Sequence, residues 1–213
     1  MKNYIVPSII AKTQQEMEDI IGRVKDHTEY IQLDIMDGKF VPNTSIHFDF
    51  HLPEVECMFE AHLMVNDPAE WIRNHGKKVD IIIPHIESCK DVGAVLGLIK
   101  KEGKKAGLAI NPGTPVENLT PYLEHLDQVI VMTVEPGAYG AKFIPESLDK
   151  VRRVRELAPN IEIEVDGGIK INTIHQAYMA GANRFVSGSY IVKADDVGAA
   201  IAALKKEVDE GAE

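Results

Sequence analysis

Short apolar runs rich in valine and isoleucine alternate along this chain with longer stretches whose apolar residues recur every three or four positions. The short runs read as strands at residues 4–9, 30–35, 58–64, 81–85, 105–110, 128–133, 161–165 and 184–186. Continuously apolar segments such as Ile81-Ile82-Ile83 suit parallel strands that are covered on both faces. The longer stretches read as amphipathic helices. Met17, Ile20, Ile21 and Val24 share one face behind a capping-box pattern, Thr13 with Glu16. Asp67-Pro68-Ala69-Glu70 sets a cap, a proline at the first helical position and an acid in the first turn. Thr114-Pro115-Val116-Glu117 repeats that order and predicts a helix there too. Val92, Val95, Leu96 and Ile99 follow the run Ser88-Cys89-Lys90-Asp91, and Leu148, Val151 and Val154 form the next stripe. Asn172 is placed to cap the helix after the seventh strand. Val197, Ala200, Ile201, Leu204 and Val208 give the last helix its buried face, and the polar tail from Asp209 is expected to fray.

Eight strand–helix units without a linker predict an α/β fold, a (β/α)₈ TIM barrel forming one domain over residues 1–213. An open doubly wound sheet is the competing arrangement. It is disfavoured because no Gly-x-Gly-x-x-Gly follows the first strand. In a barrel the chemistry sits where strands end and βα loops begin. Those ends carry Ser8, Gln32, Asp34, His62, His85, Asn111, Met132 and Asp166. One polar strand end commonly just caps a helix. Several converging on one mouth need partners or a metal, because a lone buried charge is costly. Glycines mark the same rim: Gly137 and Gly140, then Gly167 and Gly168, then Gly188 before Ser189. Turn geometry accounts for any one pair. Three neighbouring glycine loops point to a phosphate cradle of backbone N–H groups, in the usual barrel position.

Composition narrows the partners. The chain has 213 residues, with 45% apolar and 26% charged, the balance of an ordinary soluble protein. Its formal net charge of -10 repels nucleic acid and anionic membrane, so neither is an expected partner. An anionic ligand must therefore be held by local groups. Cys57 and Cys89 are too few for a disulfide framework and form no CxxC pair, which suits free thiols in a reducing cytosol. The N-terminus lacks a long apolar stretch, and no apolar run approaches the roughly 20 residues of a membrane span, so a cytoplasmic location is expected.

Seven segments then match one family. They are Val6-Pro7-Ser8-Ile9, the run Leu33-Asp34-Ile35-Met36-Asp37-Gly38-Lys39-Phe40-Val41-Pro42-Asn43, Ala61-His62-Leu63-Met64-Val65, Asn111-Pro112-Gly113-Thr114-Pro115, Val131-Met132-Thr133-Val134, Lys142-Phe143-Ile144-Pro145 and Glu164-Val165-Asp166-Gly167-Gly168-Ile169. Over nearly its whole length the chain resembles ribulose-phosphate 3-epimerase, a TIM barrel of the ribulose-phosphate-binding type. The resemblance implies an isomerase that moves a proton at C3 of a ketopentose phosphate. It implies Asp34 and Asp166 as the acid and base on opposite faces of the substrate. Both also bind a divalent metal (Zn, Mn, Fe or Mg), together with His62 and a second histidine. The family's serine maps to Ser8, and its methionines around the metal map to Met36, Met64 and Met132. A homo-oligomer is the usual assembly. The physics agrees: a proton beside a ketone is weakly acidic, so the enediolate needs charge stabilisation, and two like carboxylates serve as acid and base only if their environments differ.

Two departures stand out. Gln32 occupies the position of the family's second metal-binding histidine, on the same strand face as Asp34. Its amide oxygen is a harder ligand than imidazole and shifts preference from zinc towards manganese or magnesium; a site without metal is the other outcome. The family's usual Pro-Gly-Phe-Gly-Gly-Gln loop reads Pro136-Gly137-Ala138-Tyr139-Gly140-Ala141 here. Tyr139 resists a positive φ, which alters the donors of that loop, with the Tyr139 hydroxyl and Lys142 available to compensate. His47 and His51 read as surface histidines, with replacement of the missing ligand as the sharper alternative. The leading functional reading is a ketose-phosphate 3-epimerase acting on D-ribulose 5-phosphate and D-xylulose 5-phosphate. A non-catalytic or altered-specificity sugar-phosphate-binding paralogue is the alternative that Gln32 motivates. A decarboxylase of the same barrel group is disfavoured, because His62-Leu63-Met64-Val65-Asn66-Asp67 offers no lysine to protonate a carbanion.

Overall fold

Alternation along a strand sends neighbouring side chains to opposite faces. In β2 (Tyr30–Asp37) it sends Ile31, Leu33 and Ile35 into the layer beneath the helices. Tyr30, Gln32, Asp34 and Met36 face the other way, into the barrel. The computed structural model describes residues 1–137 and 140–209. Its other strands are β1 (Tyr4–Ile9), β3 (Met58–Met64), β4 (Ile81–Pro84), β5 (Lys105–Ile110), β6 (Gln128–Met132), β7 (Glu162–Asp166) and β8 (Arg184–Ser187). Each is parallel to the next, β8 pairs β1 with Tyr4 opposite Arg184, and β1 pairs β2 with Ser8 opposite Gln32. The sheet is therefore a closed (β/α)₈ barrel. A two-residue strand, Thr44–Ser45, runs antiparallel to the end of β2. Strand β2 runs two residues further than the apolar run suggests, and β4 ends at Pro84, leaving His85 an isolated bridge to Ala109.

The helices are α1 (Gln14–Val24), α2 (Pro68–His75), α3 (Val92–Lys101), α4 (Leu148–Leu157), α5 (Ile171–Met179), the single turn α6 (Ser189–Val192) and α7 (Val197–Asp209). Side-chain caps start the first three: Thr13 accepts from the Glu16 N–H, Asp67 from Glu70 and Asp91 from Ala94. The Glu16 carboxylate reaches the Lys12 N–H at 2.7 Å, one residue short of a full capping box. Two predicted starts are corrected. The Thr114-Pro115 segment forms only two 3₁₀ turns, Val116–Leu119 and Leu123–His125, because the Thr114 hydroxyl turns away to donate to Glu87. Asn172 lies inside α5 and caps nothing: Lys170 precedes the helix, and its N–H donates to the Thr173 hydroxyl at 3.0 Å. Asp209 still belongs to α7 and pairs with Lys205 at 2.7 Å; the tail beyond it lies outside the described residues. No helix among the described residues is long and apolar enough to cross a membrane.

The N-terminal end of the barrel is filled by a charged floor. Arg184 donates to Glu60 at 2.5 Å and Glu164 at 2.9 Å, and its guanidinium lies 3.9 Å from the centre of the Tyr30 ring. All three ionisable groups are essentially inaccessible to water. Burial, then the facing Glu60, pushes the Glu164 carboxyl well above its ordinary range. One guanidinium thus faces two buried carboxyls, and the crowding of Glu164 against Glu60 disfavours its charged form. Above this floor Val6, Ile83, Ala109, Ile130 and Val186 form a thin apolar layer, and the polar site begins.

Candidate active site

The site is built from strand ends held by the loops that follow them. Thr133, just past β6, donates its N–H to the Asp166 carbonyl at 2.8 Å and its hydroxyl to the Gly167 carbonyl at 2.6 Å, which fixes the end of β7. Gly167 then turns at φ +115°, and a Cβ there would lie 2.3 Å from Val134. At Gly168, φ is +69° and a Cβ would meet Phe143 at 2.9 Å. Only glycine permits this close approach. On the opposite wall, Asp37 accepts N–H bonds from Lys39, Phe40 and Asn66 and holds the β2 loop. Asn43 of that loop donates to the Gly137 carbonyl at 2.6 Å, tying the two rims together.

These supports enclose a cavity of ≈ 140 Å³ at the C-terminal ends of the strands. Asp34 and Asp166 face it from β2 and β7, with Ser8 on the wall. Met36, Met64 and Met132 line it, as do Gly137, Gly140, Gly167, Gly168, Gly188 and Ser189. His62 and Gln32 lie just beneath, fully buried. The Gln32 amide nitrogen donates to Asp34 at 2.7 Å and to Asp166 at 2.8 Å. His62 Nδ1 lies 3.0 Å from Asp166 and 3.5 Å from Asp34. Two acids from opposite walls of the barrel therefore meet on one amide and one imidazole.

The electrostatics follow from that crowding. Burial pushes the Asp34 carboxyl up, hydrogen bonds from His62 and Gln32 pull it back, and the net shift is upward. Burial pulls the His62 imidazole down, but its bonds to Asp166 and Asp34 outweigh this and raise it to about 10. His85 is the reverse case. Its burial is offset only partly by Glu87, and it falls to about 4. Burial pushes Glu87 up, yet hydrogen bonds from His85, Thr114 and Asn111 hold it at about 2.

Two expectations from strand ends, and one from the loop after β6, are corrected. His85 lies behind His62, Nε2 to Nε2 at 2.8 Å, and does not line the cavity. Asn111 also stays out of it, its N–H given to Glu87 at 2.8 Å. Lys142 is not on the cavity wall; the cation that lines it is Lys170. His47 and His51 are exposed and lie outside the cavity. Tyr139 lies outside the described residues. Lys170 and Tyr190, both on the wall, carry no strand-end signal in the sequence, since Lys170 immediately precedes α5 and Tyr190 lies within the single turn α6. Glu87 has no such signal because two of its partners, Asn111 and Thr114, come from the loop after β5. Glu60 and Glu164 carried a usable signal: each sits two residues before His62 or Asp166, on the same strand face.

Acids that face each other across the C-terminal mouth of a closed barrel, beneath a glycine rim, define a TIM-barrel enzyme built for acid–base chemistry. Residues 4–192 match the model of the Ribulose-phosphate 3 epimerase family. The ribulose-phosphate 3-epimerase of Mycobacterium bovis is 38% identical over 215 residues, covering 95% of this chain and 92% of that protein. The ribulose-phosphate 3-epimerase of Candida glabrata is 36% identical, covering 98% of this chain and 93% of that protein. The fold is also shared with KGPDC from Streptococcus mutans, at a TM-score of 0.72 and 12% identity, covering 99% of both chains. The chain belongs to the ribulose-phosphate 3-epimerase family and is an isomerase of the epimerase kind.

Proposed function

We propose that the chain interconverts D-ribulose 5-phosphate and D-xylulose 5-phosphate by proton transfer at C3. The meeting of Asp34 and Asp166 on the Gln32 amide, at 2.7 and 2.8 Å, carries this reading. One carboxylate removes the C3 proton from one face; the other, protonated, returns a proton to the opposite face. The direction of reaction decides which acid starts protonated. Met36, Met64 and Met132 keep water from the planar intermediate, and Ser8 stands beside the reacting carbons. The phosphate rests against the backbone of Gly137, Gly140, Gly167, Gly168, Gly188 and Ser189, with Lys170 as the nearby cation.

The residues fit a divalent ion. Asp34, His62 and Asp166 offer ligand atoms that all lie within 4.8 Å of one another. Gln32 Oε1 is buried with no hydrogen-bond partner, and a half-turn of the amide brings this oxygen to the position its nitrogen now holds between the carboxylates. Asp34, His62, Asp166 and the Gln32 oxygen would then hold the ion. When bound, it supplies positive charge that stabilises the enediolate. This oxygen-rich set favours Mn²⁺ or Mg²⁺ over Zn²⁺.

The test is NMR of the ketose phosphate in heavy water, run with and without chelator. Deuterium entering C3 as the second pentulose phosphate appears supports the reading. No exchange with any pentulose or hexulose phosphate overturns it. The Gln32 clamp also favours a second reading, a sugar-phosphate-binding protein without catalysis, because the amide already hydrogen-bonds both carboxylates where a cation would sit. That reading expects ligand-induced thermal stabilisation and no exchange.

A further inference from the structure

Behind His62 a second imidazole and a third carboxylate stand in line, outside the cavity. His62 Nε2 lies 2.8 Å from His85 Nε2. The two rings are tilted by only 20° and their centroids are 4.9 Å apart, the separation of an in-plane N–H···N bond rather than a face-to-face stack. Such a bond needs one bare nitrogen and one that carries hydrogen, and the distance alone does not say which. Glu87 decides it. Its Oε2 lies 3.2 Å from His85 Nδ1, and its Oε1 accepts the Asn111 N–H at 2.8 Å and the Thr114 hydroxyl. An ionised carboxylate only accepts, so His85 Nδ1 must carry the hydrogen. His62 lies against two carboxylates and His85 against one, so a positive charge on this pair sits on His62; His85 then presents a bare Nε2, and His62 donates its Nε2–H to it. The nitrogen left over is His62 Nδ1, which faces Asp34 and Asp166.

We propose that Glu87 is a positioning residue which, acting through His85, keeps hydrogen on His62 Nε2 and reserves His62 Nδ1 for whatever occupies the site. This is a carboxylate–histidine orienting pair lengthened by one imidazole. Its third anchor is the β5 loop: Lys150 of α4 bonds the carbonyls of Asn111 and Thr114, the two residues that hold Glu87. The metal-binding arm of the inference rests on His62 being a ligand; the arrangement of hydrogens does not.

The experiment is a long-range ¹H–¹⁵N correlation spectrum of the histidine rings in the full-length, metal-free protein. His85 is expected with hydrogen on Nδ1 and a bare Nε2, the reverse of the form a neutral imidazole prefers in water. Glu87→Gln offers an amide that can also donate, and is expected to abolish that fixed pattern. It is also expected to weaken Mn²⁺ binding by about 10- to 100-fold in calorimetry. Hydrogen on His85 Nε2 in the wild type overturns the proposal, and unchanged Mn²⁺ affinity in a folded Glu87→Gln protein overturns its metal-binding arm. The wild-type spectrum needs no variant, so it decides the matter even if Glu87→Gln fails to fold. Absence of C3 exchange would remove the epimerase reading and leave the spectrum as it stands.

Discussion

Gln32 carries the sharpest question at the scale of single residues, since its amide sits where a cation would balance two carboxylates. Imidazole binds borderline metals better than an amide oxygen does. Gln32→His is expected to raise Zn²⁺ affinity by roughly tenfold or more, measured by competition with a chromogenic chelator. Unchanged affinity would show that position 32 does not ligate. Asp37 gives a pH prediction away from this centre. Partial burial pushes its carboxyl up, but three backbone N–H donors outweigh that and hold it below its ordinary value of 3.8. A depressed carboxyl stabilises the fold above its unfolded pKa, and that contribution is lost as the pH falls through the lower folded value. Asp37→Asn should therefore lower Tm by a few degrees at pH 7, and the gap should close below about pH 4. A gap that persists at low pH would rule the charge out as its source.

Elements in this barrel are held by specific side chains at their ends as well as by apolar faces. Arg155 of α4 donates to the Gly181 carbonyl at 3.0 and 2.9 Å, to Pro159 at 3.0 Å and to Ile161 at 2.7 Å. A further bond reaches Asn183 Oδ1 at 3.3 Å, and Asn183 in turn accepts the Ile163 N–H. One planar guanidinium thus joins α4 to the start of β7 and the turn after α5. Lysine has three donors on a single nitrogen and cannot span these acceptors. Arg155→Lys should cost about 1–3 kcal/mol in urea unfolding, from the loss of two or more net hydrogen bonds. An unchanged midpoint would show that water replaces these bonds at no cost. Element positions were largely legible in the sequence, because apolar runs and Asp or Thr caps act locally. The Thr114 segment was not, since the hydroxyl that would cap a helix is captured by Glu87, 27 residues earlier.

For the molecule as a whole, closure of the sheet creates both the site and the floor beneath it. Arg184 of β8 meets Glu60 of β3 across the barrel axis, 124 positions apart in the chain. Removing the one cation leaves two buried carboxyls facing each other, which costs more than the pair contributes when intact. Arg184→Met should destabilise the protein by about 3–5 kcal/mol in denaturant unfolding. Replacing Glu60 and Glu164 with apolar residues in the same protein should recover most of that loss. If Arg184→Met alone is neutral, the floor is not the closed charge network described.

The sequence by itself determined the periodicities, the caps and the parity that places Gln32 with Asp34, and Glu164 with Asp166, on one strand face. Those are consequences of backbone geometry over a few residues, and they hold wherever the strand goes. Only the tertiary structure decided that His85 stands behind His62 rather than in the mouth, that Lys170 rather than Lys142 reaches the wall, and that Arg184 answers two glutamates. Those pairings depend on distances between strands fixed by closing the barrel, and no local pattern encodes such distances.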